Sequence, residues 1–315
     1  MKNRPRRYVL YLLAKGVMAL IQVMPRSFSL ALARGLGIAA FYLISRQRHK
    51  VLKHLRFAWK GEKSEDELNR IARQVFENLA MTAMDTILFP TLNKENLREW
   101  VSYDDEFMRV NRILDEGRGF IILASHFGNW ELLAATFTLM GYSGAIVGKR
   151  IYYEKYNQMI TGLRESVGVR TIYRDESPKE MLRVLKNNQI LGVAADQDVE
   201  SIEGVFVDFF GHPAYTPTAP VKLAMAADTV IVPAFAIREG NRYRLILDEP
   251  LKPQAARGSR EETVREFTER WSAVVEKYIR KYPEQWAWMH DRWKTRPEDI
   301  LAGENAGQRE EKKVS

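Results

Sequence analysis

His126 and Glu131 are the residues of this chain whose types and spacing could do acid–base chemistry. They stand five positions apart in His126-Phe127-Gly128-Asn129-Trp130-Glu131, directly after the apolar run 120–124 and Ser125. The run has the length and composition of a buried strand, and Leu132, Leu133, Ala134, Ala135 and Phe137 read as a helix. On one regular helix, residues five apart diverge by roughly 140°. The two side chains therefore converge only if His126 lies in the turn and Glu131 in the first turns of the helix. There a carboxylate would orient the imidazole and raise its basicity, giving a general base able to take a proton from a hydroxyl. Taken as bare spacing, the pair suits a capping or core histidine even better.

Asp196-Gln197-Asp198 follows a second apolar run, 190–195. In open α/β sheets ligands collect at the carboxyl ends of strands, where His126 also belongs. Two carboxylates one residue apart could bind a metal, orient a base or coordinate substrate hydroxyls and amines; a solvated turn uses them as well. Arg164 could clamp a phosphate or carboxylate bidentately, with Lys149-Arg150 as the rival basic site, and all three also suit plain surface charge. Asn129 is a further candidate substrate contact. The chain has no cysteine, which excludes disulfides, thiolate nucleophiles and cysteine-based metal sites. Histidines 49, 54, 126, 212 and 290 show no metal-ligand spacing, so no metal site is expected.

The elements that must position these residues follow from periodicity. Candidate strands are 120–124, 143–147, 169–172, 190–195, 204–209, 230–236 and 243–247, with helices at 131–140, 153–167, 178–187 and 218–227 between them. Residues 62–90 read as an earlier helix and 261–281 as a late one, with Val264, Phe267, Trp271, Val275 and Tyr278 on one side. Such alternation predicts an α/β fold, a mixed central sheet flanked by helices. The chain's 315 residues, 46% of them hydrophobic, suffice for one full core.

The N-terminus adds a membrane-seeking segment. Lys2, Arg4, Arg6 and Arg7 precede the apolar stretch 8–24, broken only by Lys15 and Gln22. As a helix it spans roughly 26 Å, slightly short of a hydrocarbon core of about 30 Å. A second apolar segment, 30–44, carries Arg34 and two glycines, and Arg46, Arg48, His49, Lys50 and Lys53 follow it. These read as a marginal span or two interfacial helices, with core helices as the alternative. Basic charge on both flanks favours a catalytic domain on the cytoplasmic side. The expected organisation is an N-terminal membrane-anchoring segment at 1–45, a catalytic domain at 46–302 and a polar, disordered tail at 303–315. The net charge of +8 suits anionic partners, and also general solubility.

His126-x4-Glu131 after an apolar strand resembles the His-x4-Asp/Glu motif of glycerolipid acyltransferases. Residues 119–131 resemble in particular the bacterial lipid A biosynthesis (late) acyltransferase family, of lauroyl/myristoyl type. Asp196-x-Asp198 is similar to a second family element. Phe209-Phe210-Gly211-His212-Pro213 resembles its Phe-Phe-Gly-x-Pro segment, whose aromatics could line an acyl groove or equally form a core strand and turn. Glu284 to Pro297, with Trp286, Trp288 and Trp293 among basic residues, resembles its terminal signature, a composition suited to a membrane interface or phosphorylated headgroup. The four blocks occur in order across most of 46–300. Glu131, where many glycerolipid enzymes carry Asp, and the lack of an evident Gly-Thr-Arg block both point to the lipid A branch.

The resemblance implies a glycerolipid-acyltransferase-like fold and a membrane-associated enzyme, at the bacterial inner membrane. It would move a fatty acyl group from an acyl carrier protein thioester to a hydroxyl of an anionic glycolipid, a lipid A precursor, without cofactor. His126 would be the general base and Glu131 its orienting carboxylate. Backbone N–H groups at the helix start would serve the oxyanion, and Arg164, the best match to a functional arginine of the family, would assist or hold a phosphate. Alternatives are another acceptor (a lysophospholipid, an ornithine lipid or a glycosylated inositol lipid), a hydrolase with metal at Asp196 and Asp198, or a membrane-attached lipid-binding protein without catalysis. No nucleic-acid module accompanies the tryptophans, so nucleic acid is not expected as a partner.

Overall fold

A computed structural model describes residues 5–175, 178–254 and 259–299. Helices come first: α1 (Pro5–Gln22), α2 (Arg26–Leu43), α3 (Ser45–Trp59) and α4 (Glu65–Ile87). Ser64 and Glu67 close a capping box at the start of α4, and Glu65, Asp66 and Glu67 favour its N-terminal dipole end. Short pieces α5 (Leu97–Trp100), β1 (Val101–Ser102) and α6 (Arg109–Asp115) lead into the alternating part. This runs β2 (Ile121–Ala124), α7 (Trp130–Leu139), β3 (Gly144–Gly148), α8 (Glu154–Glu165), β4 (Thr171–Tyr173), α9 (Pro178–Lys186) and β5 (Ile190–Ala194). A hairpin, β6 (Gly204–Phe209) with β7 (His212–Pro217), precedes α10 (Ala219–Ala227), β8 (Ile231–Glu239), β9 (Arg242–Leu247) and α11 (Arg260–Lys281).

Among the described residues, seven strands form one sheet in the order β1-β9-β8-β2-β5-β3-β4. β2 lies at its centre, parallel to both β5 and β8, and only the β8–β9 pair is antiparallel. The expected mixed sheet between helices is thus present. Burial explains the pattern. In β2, Ile121 and Leu123 face the core shared with α10 and α11, while Ile122, like Phe120 just before the strand, faces the opposite core with α7. Both faces are covered, so the strand is an unbroken apolar run rather than an alternating one. Each such buried aliphatic side chain contributes about 1.5–3 kcal/mol.

Two segments differ from expectation. Residues 212–217 form a strand, because the turn at Phe210 and Gly211, both with positive φ, folds them back on β6. The N-terminal segment is also more integrated than an isolated anchor. Leu30, Ala33, Gly37 and Phe41 of α2 are buried. A Cβ at Gly37 would stand 2.7 Å from both the Cα of Glu77 and the carbonyl oxygen of Phe76, so this glycine lets α2 approach α4. Among the described residues no single helix is long and apolar enough to cross a membrane; α2 and α3 pass that test only together, bent by 88°. The expected tail at 303–315 lies outside the described residues.

Candidate active site

β2 ends at Ala124, and the chain turns through Ser125 to Asn129 before α7 begins. Gly128 makes this turn possible, with φ at +59°. A Cβ there would lie 1.9 Å from the carbonyl oxygen of Ala236 in β8, so no other residue fits without displacing backbone. The turn is pinned on both sides. Asn129 N–H donates to the Ala236 carbonyl, Gly128 N–H to the Gln285 carbonyl, and Ala287 N–H to the His126 carbonyl. The segment carrying Gln285, Trp286 and Ala287 therefore runs beside the turn, with Phe127 and Trp286 forming an antiparallel bridge.

His126 is held by Asp196, at the end of β5. Its Nδ1 lies 2.8 Å from Asp196 Oδ1, and its backbone N–H donates to Oδ2 at 2.9 Å. The indole N–H of Trp286 donates to the same Oδ2 at 2.8 Å. β2 and β5 are adjacent parallel strands, with Ala124 opposite Ala194, so their C-terminal ends necessarily deliver His126 and Asp196 side by side. Asp196 is 1% exposed and His126 25%. Burial works against both charges. For His126 the Asp196 charge and hydrogen bond, with the charge of Glu131, outweigh it and hold the imidazole above its ordinary value. For Asp196 burial is outweighed by the His126 charge and by the donors from His126 and Trp286, leaving the carboxyl well below the usual range.

The carboxylate hydrogen-bonded to the imidazole is thus Asp196, whereas the five-residue spacing argument had expected Glu131 there. Glu131 sits in the first turn of α7 as expected, but Arg164 grips it bidentately, Nε at 2.8 Å from Oε2 and Nη2 at 2.6 Å from Oε1. The carboxylate clamp foreseen for Arg164 therefore falls on a carboxylate of the protein itself. Its remaining nitrogen, Nη1, stands beside Gly148 on the cavity wall.

Three other expectations change. Asn129 is fully buried; its Oδ1 caps α7 by accepting Leu132 N–H at 2.9 Å and its Nδ2 donates to Tyr243 Oη, so it meets no substrate. Asp198 accepts both the backbone N–H and the hydroxyl of Thr295, at 2.7 and 2.8 Å. With Asp196 and Asp198 both engaged by protein donors, the metal-hydrolase arrangement loses its ligands. Arg150 stacks on Tyr173, 3.8 Å from the ring centre, whereas Lys149 is among the residues lining the cavity.

The aromatic blocks are core, not groove or interface. Phe209 and Phe210 pack against Trp286, Trp288 and Trp293, and Trp286 and Trp288 are fully buried. Arg292 among them is buried too, donating to the Tyr215 carbonyl at 2.6 Å. Trp286 is the site residue that sequence reasoning missed. The available signal was that a buried indole N–H must find an acceptor.

A cavity of about 610 Å³ opens at this pair. His126, Trp130, Glu131 and Arg164 stand at its polar part, and Leu133, Phe137, Ile146, Met181 and Leu223 are among its apolar walls. Since Nδ1 is taken by Asp196, Nε2 is the ring nitrogen available to the cavity.

Fold and site together define an α/β protein with a carboxylate-held imidazole at a strand end, opening on a largely apolar cavity of a size that takes a small-molecule or lipid ligand. The chain belongs to the bacterial lipid A biosynthesis acyltransferase family, whose family model matches residues 2–295. It is 29% identical over 304 residues to the lipid A biosynthesis lauroyltransferase of Escherichia coli K12, covering 93% of this chain and 94% of that one. It is 22% identical over 298 residues to the lipid A biosynthesis palmitoleoyltransferase of the same organism, covering 92% and 93%. The phosphatidylinositol mannoside acyltransferase of Mycobacterium tuberculosis H37Rv is 28% identical over 159 residues, 49% of this chain and 50% of that one.

Proposed function

We propose that this acyltransferase moves a fatty acyl group from an acyl carrier protein thioester to a hydroxyl of a lipid A precursor. The observation that carries the reading is the His126–Asp196 pair at the mouth of the apolar cavity. Nδ1–H donates to Asp196, which leaves the Nε2 lone pair facing the cavity. Nε2 takes the proton as the acceptor hydroxyl oxygen attacks the thioester carbonyl carbon. The tetrahedral intermediate then collapses, the C–S bond breaks, and the imidazolium returns its proton to the departing thiolate. First-turn N–H groups of α7 and Nη1 of Arg164 supply donors for the oxyanion. Glu131 holds that arginine and adds negative charge near the imidazolium. Lys149 suits an acceptor phosphate, and the acyl chain occupies the apolar walls.

Residues 1–45 serve as the membrane attachment and 46–302 as the catalytic part, on the cytoplasmic side of the inner membrane. Supporting this, α1 exposes Val9, Leu10, Leu13, Val17 and Leu20. A helix apolar on most sides needs cover from protein or lipid. α1 also reaches α8, where Tyr11 meets Tyr156 and Lys155 lies over both Tyr8 and Tyr11. Tyr152, just before α8, is 91% exposed. The exposed face of α1 thus adjoins the start of α8.

The test supplies acyl carrier protein thioester with a panel of acceptors: a lipid A precursor, a glycosylated inositol lipid and a lysophospholipid. Acyl transfer to the lipid A precursor, abolished in folded His126→Ala, is expected. Transfer only to another acceptor overturns the substrate, and full activity of His126→Ala overturns the mechanism.

A further inference from the structure

α3 contains six basic or histidine positions in its first ten residues, Arg46, Arg48, His49, Lys50, Lys53 and His54, then Arg56, and no acid. Where α3 turns away from α2, Arg48 and His49 join Arg56, Arg70 and Arg73 around a groove of about 630 Å³, with Tyr42 at its edge. Two of the arginines are neutralised: Arg56 by Glu65 at 2.6 Å, and Arg73 by Glu77 at 3.3 Å. Arg48 and Arg70 form no ion pair among the described residues; Arg48 instead lies over the Phe41 ring, 5.5 Å from its centre. The groove is far from the catalytic turn in the chain and shares no lining residue with the His126 cavity.

An apolar stripe leads into it. Phe28, Leu32, Leu36 and Leu43 recur at helical spacing on the side of α2 away from the buried Leu30, Ala33, Gly37 and Phe41. The stripe follows a helix about 27 Å long. At its end Leu43 is 82% exposed and Tyr42 60%, and Tyr42 belongs to both the stripe's end and the groove. An apolar helix face ending in unpaired guanidinium groups matches the two layers of a bilayer surface, acyl chains below and phosphates above. A free phosphate or an acidic protein would use the arginines and leave the leucines uncovered.

We infer that the Arg48–Arg70 groove binds the phosphate headgroup of an anionic phospholipid while the α2 stripe lies in the acyl layer beneath it. This deepens the membrane attachment proposed above and rests on that reading. It gives the attachment a lipid preference, because guanidinium forks donate bidentately to phosphate oxygens and neutral bilayers offer no net charge to hold.

The full-length chain is tested by co-sedimentation with vesicles of phosphatidylcholine alone and with phosphatidylglycerol added. Phosphatidylglycerol is expected to raise binding, salt to lower it, and Arg48→Gln/Arg70→Gln to weaken it about thirty-fold, the factor for two arginines near an anionic surface. Thermal unfolding of the variant should stay close to the parent's, since neither arginine is buried and neither forms an ion pair among the described residues. Equal binding to both vesicle types, or an unaffected variant, overturns the groove and leaves apolar attachment standing. No binding to either vesicle overturns both. A parent that binds soluble polyglutamate as tightly as the charged vesicles, with the variant losing both equally, overturns the lipid in favour of an acidic protein partner.

Discussion

One carboxylate, that of Asp196, holds both the ring and the backbone of His126: Oδ1 lies 2.8 Å from Nδ1 and Oδ2 accepts the backbone N–H at 2.9 Å. The imidazole is therefore fixed in direction and in tautomer together. Two adjacent parallel strands supply the partners, so the geometry rests on the sheet and not on a flexible loop.

Replacing Asp196 by Asn keeps the shape and removes the charge. The amide can present its N–H to Nδ1 and place the ring proton on Nε2, where no lone pair is then left for the acceptor hydroxyl. Turnover is expected to fall on the order of 10³-fold, with acceptor KM little changed. Steady-state kinetics on a folded variant decide it, and activity within a few-fold of the parent would remove Asp196 from the mechanism.

Glu131 and Arg164 should behave as a pair. Their side chains are only 12% and 16% exposed, so losing one strands the other charge. Arg164→Gln alone is expected to cost about 2 kcal/mol of stability, and Glu131→Gln with Arg164→Gln less than the sum of the singles. Denaturant unfolding of the four proteins measures that coupling; strict additivity would contradict it.

The pH dependence has a definite sign. A base must be neutral, and His126 is held above its ordinary value of about 6.5. Activity should therefore rise with pH through a midpoint above that value, as a pH profile of kcat/KM would record. For stability, the raised His126 contributes fully below about 6.5 and its contribution is lost as pH rises through the raised value. The depressed Asp196 contributes above about 3.9, and its contribution is lost as pH falls through its own lower value. Trp286→Phe deletes one donor to that carboxylate. Its acid unfolding should begin at higher pH than the parent's, and an unchanged acid midpoint would show that the indole N–H does not matter.

Gly128→Ala should be the most damaging small change in the turn. The methyl group would overlap the Ala236 carbonyl at a positive φ. A loss above about 3 kcal/mol, or failure to accumulate folded protein, is expected. A variant unfolding at the parent's denaturant concentration would show that the turn relaxes freely.

Much of the sheet was legible because its evidence is local. The apolar runs at 120–124, 190–195 and 230–236 could be strands only if both faces were covered, and β2, β5 and β8 are covered on both. The helix over 261–281 was legible from the spacing of Val264, Phe267, Trp271 and Tyr278, all buried in α11. Trp286 and Trp288 were read toward an interface, and Phe209 and Phe210 were left open between groove and core, because an aromatic-rich stretch has the same composition in either place. Only their mutual packing tells the two apart.

The sequence by itself determined that a strand hands over to a helix at His126, with His126 in the turn and Glu131 in the first turns of the helix. Those features depend on neighbours in the chain. Which carboxylate meets the imidazole was decided only by the tertiary structure. Asp196 is seventy positions away and reaches His126 because β2 and β5 are adjacent in the sheet. Glu131, five positions away, is turned to Arg164 by the course of α7 and α8. Strand order is a property of the whole core, and a spacing between two residues holds no record of it.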